Sequence, residues 1–198
     1  MKKQTQTSGF ALLMTLVVVG VVLSVGMSIL DLSIKQVRLS TNSKESEIAF
    51  HAANAGMECA RYWRRELEGE MEAGDNLDLD CFGQPSITVP KESIWPGSAG
   101  ESGDGDAFLY KYQFTWGSGD GIRCTKVDNL VISADSIGAG KTVTNMRDIF
   151  PGYPRTADVD KTCEPGSRCT TISVRGYNQA CDTVGGYGTV EREVLLQF

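Results

Sequence analysis

Six cysteines, at 59, 81, 124, 163, 169 and 181, are the residues of this 198-residue chain best equipped to do covalent chemistry. Zinc ligation is not expected, because no Cys-x-x-Cys pair occurs and His51 is the single histidine. Disulfides formed in an oxidising compartment fit better, although the spacing leaves several pairings open. Cys163 and Cys169 flank Glu-Pro-Gly-Ser-Arg, a turn-forming loop able to close on itself; Cys59 can reach Cys81, which leaves Cys124 for Cys181. Asp75, Asp78 and Asp80, and separately Asp104 and Asp106, carry oxygens suited to calcium. Neither run fits the helix-loop-helix pattern, since the position five after Asp104 is Leu109 and not the required glycine. Ile137-Gly-Ala-Gly-Lys-Thr142 looks like part of a phosphate loop, but Asp135 stands where its first glycine belongs. With one histidine and no nucleophile motif, the chain is not expected to be an enzyme. No cofactor is expected, calcium at Asp104 and Asp106 being the only candidate.

The elements that position these groups begin with residues 10–30, FALLMTLVVVGVVLSVGMSIL, which carry no charge. An α-helix of that length spans about 31 Å, close to the hydrocarbon thickness of a bilayer. Lys2 and Lys3 precede it, and the positive-inside rule then keeps the leader cytoplasmic and exports the rest. A cleaved secretory signal is the competing reading, with Ser24-Val25-Gly26 as its cleavage site. Against it, the helical pattern continues. Ile48, Ala52, Ala55, Cys59 and Tyr62 recur at helical spacing beside Ala49, Ala53, Gly56, Ala60 and Trp63, and no proline interrupts residues 10–67. One long helix follows, polar between Asp31 and Glu47, with its second half laid on a domain. Arg61, Arg64, Arg65 and Glu66 read as a mixed charged patch on its solvated or subunit-facing surface.

Beyond residue 67 the pattern changes period. Phe108, Tyr110, Tyr112, Phe114 and Trp116 alternate with Leu109, Lys111, Gln113 and Thr115, which predicts a strand with five aromatics on one face. That face is able to stack on a glycan or single-stranded nucleic acid, but its character matches the small-residue face of the helix and assigns it to the core. Further strands are expected at 86–89, 122–127, 130–134, 170–177 and 189–198, with acidic, glycine-rich loops at 68–85 and 98–107. The fold class is α+β: a long helix, membrane-spanning in its first half and amphipathic in its second, packed on an antiparallel, disulfide-stapled head. A formal charge of −6 makes nucleic acid a poor partner.

Basic leader, Gly9, Phe10, uncharged helix, the alanine-rich AFHAANAGMECA segment and a cysteine-bearing β-domain occur here in the order found in the type IV pilin and pseudopilin family, which the first 67 residues resemble. The resemblance implies a leader at 1–9, a transmembrane and filament-core helix at 10–30, an amphipathic stalk helix at 31–67 and a globular head at 68–198. It further implies cleavage after Gly9 by a prepilin peptidase and methylation of Phe10. The subunit would be a single-pass inner-membrane protein, N-terminus inside, held by lipid before assembly and then extracellular in a pilus or pseudopilus. Its implied partners are other pilin subunits, through the N-terminal helix, and the inner-membrane assembly platform. Most family members carry a glutamate five residues into the mature chain, and here that position is Met14, followed by Thr15. The loss points to a minor or tip subunit, with nothing above it to pair with. The competing expectation is a membrane-tethered or secreted extracytoplasmic domain that binds glycan or a surface ligand and does not polymerise.

Overall fold

The computed structural model describes residues 8–84, 86–92, 99–117, 119–155 and 160–198. Lys2 and Lys3 and the rest of the expected leader up to residue 7 lie outside the described residues. Helix α1 covers Ser8–Glu66, in agreement with the uninterrupted helical pattern. The chain divides into two compact units, residues 1–44 and 45–198.

In the first unit every residue from 9 to 44 is exposed. Its hydroxyls satisfy themselves locally: Thr15 Oγ1 donates to the Leu12 carbonyl at 2.9 Å, and Ser28 and Ser33 donate to carbonyls one turn back. Polar side chains in the apolar stretch therefore do not call for water. Among the described residues this is the only helix long and apolar enough to cross a membrane.

The second unit is built on a five-stranded antiparallel sheet. Strands β1 (Leu77–Leu79) and β2 (Ile87–Val89) pair with each other. The large sheet has the order β10 (Glu191–Gln197), β9 (Arg168–Tyr177), β6 (Arg123–Ala134), β5 (Gly105–Trp116) and β3 (Lys91–Glu92). A third sheet orders β4 (Gly100–Gly103), β7 (Lys141–Thr144) and β8 (Lys161–Cys163). Two short helices, α2 (Glu68–Ala73) and α3 (Met146–Ile149), complete it.

Both faces of the large sheet are covered, and each cover has its own core. Tyr110, Tyr112 and Phe114 of β5, Val127 and Val131 of β6, and Ile172 and Val174 of β9 meet Ala53, Met57 and Ala60 of α1. Tyr110, Tyr112 and Phe114 are thus core residues, with Phe108 and Trp116 half-buried at the two ends of the row. At about 1.5–3 kcal/mol for each large apolar side chain removed from water, this face supplies the main drive for seating the helix. On the other face Leu109, Leu130, Ile132 and Ala134 pack with Val143, Met146, Ile149 and Phe150.

The structure corrects the sequence reading at several points. Residues 122–127 and 130–134 are one strand, β6, because Asp128 and Asn129 both find partners in place. The Asp128 carboxylate accepts from Arg175 at 2.6 Å, and Asn129 Nδ2 lies 3.6 Å from Met71 Sδ. The stretch read as loop after residue 67 contains α2, which ends at Gly74 in the left-handed conformation (φ 74°) with its N–H on the Glu70 carbonyl. Strand β4 likewise falls in the second glycine-rich loop. Lys141 and Thr142 lie on β7, so the glycines before them make a turn into a strand, where a phosphate loop would lead into a helix.

Candidate functional site

Residues 45–66 of α1 approach the sheet at their closest point through backbone atoms rather than side chains. Ala49, Ala52, Ala53 and Ala60 are fully buried. Opposite them Gly176 of β9 has no side chain, and a Cβ there would fall on the Ala49 carbonyl oxygen and the Ala53 nitrogen. Gly56 is the matching gap on the helix, where a Cβ would meet the side chains of Thr125 and Val174. Thr125 Oγ1 donates to the Ala52 carbonyl at 3.0 Å, and Asn178 and Arg192 reach Glu45 and Ser46 at 3.0 and 2.8 Å. The alanine and glycine spacing therefore encodes close backbone approach. Tyr62, read as part of the buried face, is exposed, while Met57 and Arg64 are buried.

Three disulfides fix this seat and its surroundings: Cys59 to Cys81, Cys124 to Cys181, and Cys163 to Cys169. The first ties α1 to the segment after β1, where Trp63 Nε1 also donates to the Asp80 carbonyl at 2.7 Å. Its neighbour Phe82 takes a left-handed backbone (φ 57°) and lies 5.8 and 6.0 Å from the Phe114 and Trp116 rings, centroid to centroid.

The calcium candidates do not converge. Asp104 accepts from the Ala139 N–H at 3.2 Å, Asp106 is an exposed strand residue opposite Ser133, and Asp78 accepts from Thr88 at 2.6 Å. Among the described residues no three His, Cys, Asp or Glu side chains form a metal-holding group. His51 is exposed and lies 3.8 Å from Glu47 on its own helix.

Buried titratable groups belong to the core. The Tyr110 hydroxyl donates toward the Met71 and Asp75 carbonyls, and burial, with the Asp75 charge adding to it, pushes its pKa up to about 12. Burial also raises the Tyr112 phenol. The Asp128 carboxyl is held above the usual carboxylate range, since its desolvation outweighs the attraction of the adjacent Arg175 guanidinium.

One basic hollow stands out in this acidic chain. It measures about 420 Å³ and lies between the end of α1, the start of β9 and the end of β10, with Arg61, Arg64, Arg65 and Arg168 facing Leu196 and Phe198. The sequence placed three of these arginines on a solvated or subunit-facing surface. Arg64 is instead only 5% exposed, its Nε donating to Thr170 Oγ1 at 2.9 Å and its Nη2 to Glu72 at 3.0 Å. Arg168, 96 residues from Glu72 in the chain, donates to the same carboxylate at 2.8 Å, a convergence with no local signal in the sequence.

Comparison with known protein families, curated proteins and solved structures finds no match for this chain.

Proposed function

We propose that this chain is a structural subunit of a type IV pilus or related secretion filament, in a minor or tip position. The observation that carries the reading is the contrast along α1. Residues 10–30 are uncharged and exposed throughout, whereas Ala49, Ala52, Ala53 and Ala60 are buried against the head's own sheet. A run of exposed apolar side chains of that length demands a cover, either lipid or other helices. A filament subunit uses both in turn, first the inner membrane and then the helices of neighbouring subunits.

In this reading prepilin peptidase cuts after Gly9 and the new N-terminus at Phe10 is methylated before the assembly platform extracts the subunit. The disulfides suit a head that matures outside the cytoplasm. Met14 leaves the apolar segment without an ionisable group. A buried carboxylate costs several kcal/mol unless paired, so its absence favours the membrane-held monomer and removes the attraction to a subunit above. That is the behaviour expected at a tip.

N-terminal sequencing and mass analysis of the mature protein test the reading. It expects a methylated Phe10 and recovery of the protein with sheared filaments; a chain starting at Met27, the product of signal cleavage, refutes it.

A further inference from the structure

We propose that the hollow beside β10 is a docking site for an extended, acidic peptide segment of another protein, held by Arg61 and Arg65 and by the outer edge of β10. The four arginines do not share one role. Glu72 serves both Arg64 and Arg168, so one carboxylate is shared by two guanidiniums and the group keeps a positive excess. Those two arginines are occupied and build the wall. Arg61 makes only an exposed 3.4 Å contact with Glu58, and Arg65 makes no hydrogen bond or ion pair among the described residues. Most of Arg61's donors and all of Arg65's are left unspent, and a planar guanidinium fork matches a carboxylate.

The second observation is backbone. β10 ends the large sheet, and among the described residues no strand pairs with its outer side. Phe198 and Thr170 exchange both backbone hydrogen bonds, at 2.8 and 3.1 Å. By antiparallel alternation, residues 194 and 196 then bond inward to β9, while the N–H and C=O groups of 193, 195 and 197 face outward. Val194 and Leu196 put their side chains on the α1 side, Leu196 among the arginines of the hollow. A strand added to this edge lays every second side chain over the hollow, where carboxylates meet Arg61 and Arg65 and apolar atoms meet Leu196 and Phe198.

The same arrangement disfavours a polyanion. Glu68 lines the hollow, Glu58 stands beside it on Arg61, and the whole chain carries a formal charge of −6. A free anion uses the arginines but gains nothing from the strand edge, which is what separates it from a peptide. The inference stands apart from the filament reading, because it concerns the head of the unassembled subunit.

The test uses the full chain in detergent micelles and fluorescence anisotropy of a labelled peptide alternating glutamate and valine. Saturable binding is expected, with none for the lysine and valine counterpart. The double variant Arg61→Ala, Arg65→Ala should weaken binding about tenfold or more, as expected for losing charge-assisted hydrogen bonds to carboxylate. Gln197→Pro removes an outward N–H while sparing the ladder to β9 and should also weaken it about tenfold. The same peptide N-methylated at alternate residues repeats that test without altering the protein. Unchanged thermal melting of the arginine variant, whose altered side chains are exposed, separates lost binding from lost fold. Absence of saturable binding overturns the proposal. So does displacement by inorganic phosphate together with indifference to N-methylation, which would mark an anion site only.

Discussion

Replacing Gly176 with alanine tests whether the helix seat depends on close backbone approach. Gly176 has no left-handed φ, so alanine fits the strand itself and the effect isolates packing. Its methyl would lie 2.2 Å from both the Ala49 carbonyl oxygen and the Ala53 nitrogen, backbone atoms that have no rotamer to escape into. Overpacking a full core costs about 1–3 kcal/mol, and immovable partners put this case at the upper end, about 3 kcal/mol. In a domain of this size about 1 kcal/mol lowers the melting temperature by about 2–4 °C, so G176A should melt about 6–12 °C lower. Gly56→Ala is the internal control. Its methyl meets side-chain atoms of Thr125 and Val174 rather than backbone, and alanine recovers about 1 kcal/mol of helix propensity over glycine, so the loss should be smaller. Thermal and urea denaturation of the full chain in detergent, followed by tryptophan fluorescence, measures both. If G176A melts with the wild type, or G56A costs more than G176A, the seat does not rest on the contact described.

The disulfides should contribute in the order of the loops they close. Replacing Cys124 and Cys181 with serine, 57 residues apart, should cost about 4 kcal/mol, against about 2 kcal/mol for Cys163 and Cys169, six apart, when both are unfolded in denaturant without reductant. Because the Tyr110 pKa is raised, the unfolded chain gives up that phenolic proton first, so stability is retained below about pH 10 and falls as pH rises toward about 12. Tyr110→Phe should flatten part of that alkaline decline in denaturation curves across the range, while losing the hydroxyl's hydrogen bonds at neutral pH. Met14→Glu restores the carboxylate that the pilin resemblance expects and should raise the share of the protein recovered in sheared filaments; an unchanged share argues against the tip assignment.

Much of the fold was legible where one period ran long enough to be seen. The helical spacing from Ile48 to Trp63 and the five alternating aromatics of β5 each extend over several repeats, and the structure packs one on the other. Strands of two to four residues, such as β3, β4, β7 and β8, repeat too little to leave a pattern, and β4 is hidden further by its glycines. Asp128 and Asn129 read as a break because both residues favour turns in isolation. Only the fold reveals that Arg175, distant in the chain, keeps Asp128 in a strand. The basic hollow was missed for the same reason. Three of its arginines were visible as neighbours, but Arg168 and the shared Glu72 join them only in three dimensions.

The bridge between Cys59 and Cys81 has a mechanical consequence. A pull that enters the head along α1 reaches Cys59 before the end of the helix, and there the covalent link diverts it into the segment that follows β1. Residues 60–80 are thereby shielded from stretching, and the longer bridge from Cys124 to Cys181 removes a larger stretch of chain from any extension. A head so fastened gains length only in the stretches outside these two loops, residues 45–58, 82–123 and 182–198, and a pull along α1 meets the first of them first, as the turns of residues 45–58 on the sheet.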